Sequence, residues 1–260
     1  MAGRTHLVTG SASGIGRATR ELLESRGDRV IGVDVHDADL VRDLSDPEHR
    51  AGLRADVAAL APDGLDAVHA VAGVNLPGPL TARVNYFGAV ATLRELRPLL
   101  AKSPAPAAVA VASFATLMPP DEPLLAALRA EDEPGAVAAA EALADRGQGV
   151  LVYPTSKRAL AEWVRERSVT PEWAGAGIPL NAVAPGVIRT PMTAELLATP
   201  ESRDALFQQV PAPLNGAAEP AAVAGLLAWL TSAENRHVTG QVIFSDSGAE
   251  ATLRGPHIFG

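Results

Sequence analysis

The stretch Thr9-Gly10-Ser11-Ala12-Ser13-Gly14-Ile15-Gly16 decides how the rest of the chain is read. It follows the apolar run His6-Leu7-Val8 and leads into a segment of helical period over about 15–26, so it occupies a strand-to-helix turn. Glycines there allow a tight bend and let the backbone approach a pyrophosphate, which then rests on free N–H groups at the helix start. The spacing is Gly-x3-Gly-x-Gly, and the same turn alone would also serve as a plain connection. With a strand before it and a helix after it, the turn predicts dinucleotide binding, with Gly10, Ser13, Gly14, Ile15 and Gly16 as cofactor-binding candidates.

Working outward, short continuous apolar runs alternate with helical segments. Arg29-Val30-Ile31-Gly32-Val33-Asp34 precedes a helix over about 46–60, and residues 66–72 precede one over about 80–102. Residues 107–111 precede an alanine-rich helical stretch, residues 178–183 follow another long helix, and Gln241-Val242-Ile243-Phe244 comes last. Runs that do not alternate polar with apolar suit strands buried on both faces. The expected fold is therefore α/β, a doubly wound parallel sheet of Rossmann type, with residues 1–260 forming a single dinucleotide-binding and catalytic domain.

Composition narrows the function. The chain has 260 residues, 47% of them hydrophobic, so it can bury a core without staples. It has no cysteine, which excludes thiolate nucleophiles and disulfides and fits a cytoplasmic location. Its six histidines show no metal-ligand spacing, so no metal is expected. A formal charge of −8 argues against nucleic acid, whose binders need a basic face. No membrane span or signal peptide is read, since no apolar run approaches the ~18 residues a span needs.

Two further features carry chemistry. Asp34 closes the second apolar run, where a carboxylate accepts hydrogen bonds from adenosine ribose hydroxyls and repels a 2′-phosphate. Positions 13 and 35 hold no cation for such a phosphate, so NAD is expected over NADP, although an aspartate at a strand end also satisfies turns. In Tyr153-Pro154-Thr155-Ser156-Lys157, the i and i+4 positions share a helix face. An ammonium beside a phenol favours phenolate, so Lys157 is expected to lower the Tyr153 pKa toward neutrality and make it a general acid/base.

On these residues the sequence resembles the short-chain dehydrogenase/reductase family over nearly its whole length. Motifs fall in order: Thr9 to Gly16, Asp34, Ala72-Gly73, Asn85, Ser113, Tyr153 with Lys157, and Pro185-Gly186 with Thr190. The resemblance implies that Ser113 bonds the substrate oxygen, that Tyr153 is the acid/base, and that Lys157 also holds the nicotinamide ribose. It implies that Asn85 supports a water-linked proton path, that Thr190 contacts the carboxamide, and that Val187 and Ile188 flank the nicotinamide. The stretch from Asp34 to Ser45 and the C-terminal Ser245-Asp246-Ser247-Gly248 resemble the 3α-hydroxysteroid dehydrogenase/carbonyl reductase branch. By that match Asp43 faces the adenine side and Leu44 lies beside the ring. Coniferyl-type aryl alcohol dehydrogenases are similar enough to remain an alternative.

The implied activity is hydride transfer between a nicotinamide cofactor and a secondary alcohol or ketone, such as a 3α-hydroxysteroid. A non-catalytic NAD-sensing protein and a methyltransferase are the rival readings; neither needs Tyr153 and Lys157. The chain departs from the family pattern in three places. Val71 stands where Asn is usual, Pro154 follows the tyrosine, and the separation of Ser113 from Tyr153 is long. The extra residues, about 116–149, read as a helical hairpin with Leu124, Leu125 and Leu128 on one arm and Pro134-Gly135 at the turn. Such an apolar arm needs a cover, from the parent domain or another subunit. The hairpin is expected to obstruct the family's usual helix pairing and to favour a homodimer over a tetramer. Residues 191–215 read either as a lid over substrate or as an ordinary surface connection.

Overall fold

The computed structural model describes residues 3–257. Seven strands form one parallel sheet: β1 (Thr5–Thr9), β2 (Arg29–Asp34), β3 (Leu40–Val41), β4 (Ala67–Ala70), β5 (Ala107–Val111), β6 (Leu180–Pro185) and β7 (Val242–Ser245). Their order is β3-β2-β1-β4-β5-β6-β7. The order reverses between β1 and β4, and in open α/β sheets a ligand crevice lies beyond the strand ends at that point.

Alternation along each strand sends side chains to both faces, and both faces are covered. Val8 and Val30 pack with Leu23 of α1 (Gly14–Ser25) and Ala228 of α9 (Pro220–Leu230). On the other face Leu7, Ile31 and Val68 meet Leu53 and Val57 of α2 (Pro47–Leu60), Leu93 and Leu96 of α4 (Ala89–Leu100), and Leu160 and Val164 of α7 (Val152–Arg167). Burying these apolar strands on both sides is what the continuous runs required.

The expected helix over 80–102 is not uniform. A short α3 (Pro79–Ala82) passes into a π-helical turn, Arg83–Gly88, before α4. The wider turn carries Asn85, whose side chain both accepts from Val74 N (2.8 Å) and donates to Val74 O (2.9 Å). π turns of this kind occur mostly at functional sites.

The hairpin exists, but its turn is displaced. Its arms are α5 (Glu122–Arg129) and α6 (Glu133–Asp145), and the reversal falls at Glu131, with φ 54°. Pro134 and Gly135 lie instead in the first turn of α6, where proline loses no hydrogen bond and Asp132 caps by accepting from Gly135 N at 3.1 Å. Leu124, Leu125 and Leu128 are fully buried within their own chain, so the parent domain covers the apolar arm.

Ion pairs fasten the hairpin at several points. Buried Arg50 of α2 pairs with Glu133, donates to Leu44 O at 3.3 Å, and lies 5.9 Å from the Phe87 ring centroid. Glu131 takes Arg94 at 2.7 Å and Arg167 at 3.7 Å, and Glu162 of α7 takes Arg129 at 2.8 Å. At the opposite end of the sheet, His6 and His69 form a buried pair, with His6 Nδ1 3.1 Å from His69 Nε2.

Candidate active site

The glycine turn is a backbone cradle held open by sterics. Gly10 and Gly14 have φ of 70° and 51°, which side chains disfavour. A Cβ on Gly10 would fall 2.9 Å from Ala72 Cα, and one on Gly16 would fall 2.0 Å from Gly10 O. Thr9 Oγ1 accepts from the N–H groups of Val71 and Ala72, both at 3.0 Å, and thereby ties β1 to the loop after β4. Ser13 begins α1 without a side-chain cap, leaving its first N–H groups facing the cavity.

That cavity has a volume of about 710 Å³ and runs along the strand ends. Gly10, Ser13, Gly14, Ile15, Gly16, Ala72 and Gly73 line it together with Pro185, Gly186, Ile188 and Thr190, and Thr190 lies close to Gly14. Ser113, Tyr153 and Lys157 form part of the same wall. Ser113 is placed by the end of β5, where its Oγ accepts from Ala115 N at 3.1 Å. Tyr153 and Lys157 sit one turn apart in α7, with Pro154 tolerated in its first turn.

Lys157 Nζ is buried, donates to Val111 O at 2.7 Å, and lies 6.0 Å from the Tyr153 ring centroid. Burial lowers its pKa to about 8. Gly73 makes room for this arrangement, since a Cβ there would sit 3.1 Å from Asn85 Oδ1 and 3.2 Å from Lys157 Nζ. Asn85 Nδ2 also donates to Ser156 Oγ at 3.2 Å, and Ser156 Oγ donates to Tyr153 O at 2.7 Å. A buried network therefore joins the π turn to the start of α7.

The Tyr153 phenol departs from expectation. Burial pushes its pKa above the usual value, and the Ser113 hydroxyl acts in the opposite sense. Lys157 does not reverse this, as its ammonium donates to the Val111 carbonyl and makes no hydrogen bond to the phenol.

Other expected residues lie beyond the cavity wall. The Asp34 carboxylate is fixed at the end of β2, accepting from Ala12 N at 2.9 Å and Val35 N at 2.7 Å, next to the glycine turn. Asp43 accepts from Ser45 N at 2.8 Å and forms part of the turn into α2. The Leu44 side chain, expected beside a ring, is instead buried in the main core, against Gly88. Val187 turns away from the cavity to pack with Phe114, Val210 and Ala249, while Ile188 lines it.

Sequence reasoning missed Val74, Asn75 and Leu76 after Gly73; Met192, Thr193, Glu195 and Leu196 after Thr190 fall in the 191–215 segment read as a lid or a surface connection, but were not singled out. Adjacency to the two motifs was the available signal. Among the described residues no cluster suited to a metal ion occurs and no helix is long and apolar enough to cross a membrane. The glycine cradle, the uncapped helix start and the fixed Asp34 fit an adenine dinucleotide.

Comparison with known proteins agrees with this geometry. A family described as enoyl-(acyl carrier protein) reductase matches residues 126–250. A 3-alpha-hydroxysteroid dehydrogenase/carbonyl reductase from Comamonas testosteroni is 38% identical over 95% of this chain and 97% of its own. A cis-4-hydroxycyclohexanecarboxylate dehydrogenase from Sinomonas cyclohexanicum is 32% identical over 96% and 98%. The crystal structure of a 3-alpha-hydroxysteroid dehydrogenase from Pseudomonas sp. B-0831, complexed with NADH, is 37% identical and superposes with a TM-score of 0.89 over 98% of this chain and 100% of that one. The chain belongs to the short-chain dehydrogenase/reductase family, nicotinamide-dependent oxidoreductases of alcohols and ketones.

Proposed function

We propose that the chain is an NAD(H)-dependent dehydrogenase/reductase in which Tyr153 moves the proton, Ser113 orients the substrate oxygen, and Lys157 with Asn85 holds the proton path and the ribose end of the cofactor. One observation carries this reading: Ser113, Tyr153 and Lys157 line a single cavity together with the glycine cradle. When bound, the nicotinamide supplies or accepts the hydride. Every other task belongs to the chain. A buried phenol with a raised pKa is held protonated and ready to donate to a ketone oxygen. The Lys157 ammonium, with a pKa of about 8, supplies positive charge behind it that favours phenolate as a proton leaves. Gly10 to Gly16 would hold the pyrophosphate, Thr190 and Ile188 the nicotinamide, and Asp34 the adenosine ribose. Asp43 would lie on the adenine side.

Preference for NAD over NADP rests on Asp34, whose carboxylate is held by two backbone N–H groups and faces no neighbouring cation at positions 13 or 35. Asp34→Ala should shift kcat/KM from NADH toward NADPH by at least about tenfold, since each charged hydrogen bond is worth roughly 1.5–3 kcal/mol. A wild-type enzyme that prefers NADPH overturns the assignment. The substrate is a secondary alcohol or its ketone; the 38% identical relative points to a hydroxysteroid or other carbonyl compound, with a coniferyl-type alcohol as the alternative. Turnover of one ketone from these classes with NADH, abolished by Tyr153→Phe, tests the whole reading. All site elements lie on one sheet or on the helices and turns packed against it, which supports a single domain over 1–260. A homodimer is the assembly proposed, with sedimentation equilibrium as its test.

A further inference from the structure

The charge of the cavity wall is left unused by the catalytic reading. Among the described residues that line it, two are charged, Lys157 and Glu195. Lys157 is buried and committed to Val111 O. Glu195 opens a one-turn 3-10 helix, Glu195–Leu197, on the loop after Thr190, flanked along the wall by the exposed apolar side chains of Met192 and Leu196. The arginines flanking this segment are engaged elsewhere, Arg189 with Glu219 at 3.3 Å and Arg203 with Asp204 at 3.9 Å. A bound dinucleotide adds the negative charge of its pyrophosphate to the same cavity.

An anion entering here must shed water and pass exposed Glu195 at the rim, and among the described lining residues no uncommitted cation answers it. An uncharged molecule meets Leu76, Met192 and Leu196, which suit an apolar body. We propose that this cavity selects uncharged carbonyl compounds and their alcohols over carboxylate-bearing ones, with Glu195 as the specificity-determining residue. The proposal rests on the oxidoreductase reading and refines it, because discrimination by an unmatched charge is a repulsive form of specificity.

The test compares 4-oxocyclohexanecarboxylate with its carboxamide and a 4-trimethylammonium analogue, each with NADH. The wild type should favour the carboxamide over the carboxylate in kcat/KM by roughly five- to thirtyfold, the span one partly screened charge supplies. Glu195→Gln should narrow that ratio several-fold, Glu195→Lys should invert it, and added salt should shrink it in the wild type only. Equal use of carboxylate and carboxamide by the wild type, or an unchanged ratio in Glu195→Gln, overturns the proposal. Calorimetric binding of cyclohexanecarboxylate and its carboxamide to the NADH complex gives a second readout. If no ketone is turned over, the oxidoreductase reading fails, while the binding ratio still decides the role of Glu195.

Discussion

The two additions to the sheet, the hairpin behind α7 and the segment after Thr190, are built in opposite ways. The hairpin of α5 and α6 buries Leu124, Leu125, Leu128, Ala136, Ala140 and Leu143, and ion pairs bind it to α2, α4 and α7. Residues 191–215 contain α8 (Pro200–Gln209), which has no fully buried residue, and of the whole segment only Val210 is buried in the core. Many of this segment's polar contacts are internal, as in Thr190 with Thr193 and Thr199 with Ser202. Local opening is easiest where few apolar contacts are buried, so the hairpin is the fixed addition and residues 191–215, which line the cavity through Met192, Thr193, Glu195 and Leu196, the yielding one. The difference teaches a division of labour. The proposed catalytic residues are anchored on the fixed side, through α7 and the π turn against which the hairpin packs, and the proposed selection of substrate falls to side chains on the yielding one.

The largest expected effect tests the fixed side. Tyr153→Phe keeps the ring and removes the acid/base, so kcat should fall about 10²- to 10⁴-fold with NADH affinity preserved. A variant that retains a tenth of wild-type kcat under chemistry-limited conditions refutes the assignment.

Next comes a direct contrast of the two regions. Leu128→Ala empties a fully buried site and should cost about 2–5 kcal/mol in urea unfolding. Leu206→Ala, in partly buried packing on α8, should cost less than about 1 kcal/mol. Hydrogen exchange should likewise protect α5 and α6 well beyond α8. Equal destabilisation or equal protection would break the comparison.

Acid acts on the scaffold that both regions share. Burial, opposed by Asp28 and Asp66 and reinforced by Arg4, lowers the His6 pKa from 6.5 to about 4, and His69 is also lowered. Both stay neutral in the fold while the unfolded chain takes up protons. Stability is therefore unaffected well above pH 6.5 and is lost as pH falls from there toward 4, by up to roughly 3 kcal/mol for His6. A flat unfolding free energy between pH 7 and 4.5, with His6→Gln behaving as wild type, would remove the pair from the account.

How much was legible in the sequence follows from what each feature depends on. Six of the seven strands, the glycine turn and the Tyr153–Lys157 pair are local patterns that stand where the pattern put them, whereas the two-residue β3 (Leu40–Val41) is too short to leave a pattern. The π turn at Arg83–Gly88 left no trace, because the apolar period around it remains helical. The hairpin's reversal was misplaced because Pro134 suits a helix start as well as a turn. The Tyr153 pKa ran opposite to expectation because burial is a tertiary quantity, unseen in a five-residue motif. Leu44 was read toward a ligand, whereas the fold needed its side chain in the core. Glu195 lies in a segment with no periodicity to place it.

The insertion also bears on how the chain finds its fold. It enters between β5 and β6, neighbours in the sheet that pair Ala108 with Leu180. Contacts between α5 and α6 join residues close in sequence, so they form early, as local structure does. Once folded, the hairpin brings its own ends together and leaves β5 and β6 a shorter effective tether. The entropy of closing a flexible loop rises only about 0.6 kcal/mol per doubling of length, and a self-closing insert adds less still. The extra helices therefore lengthen the chain at a point where folding speed is least sensitive to length, and deleting them should leave the refolding rate nearly unchanged while destabilising the folded state.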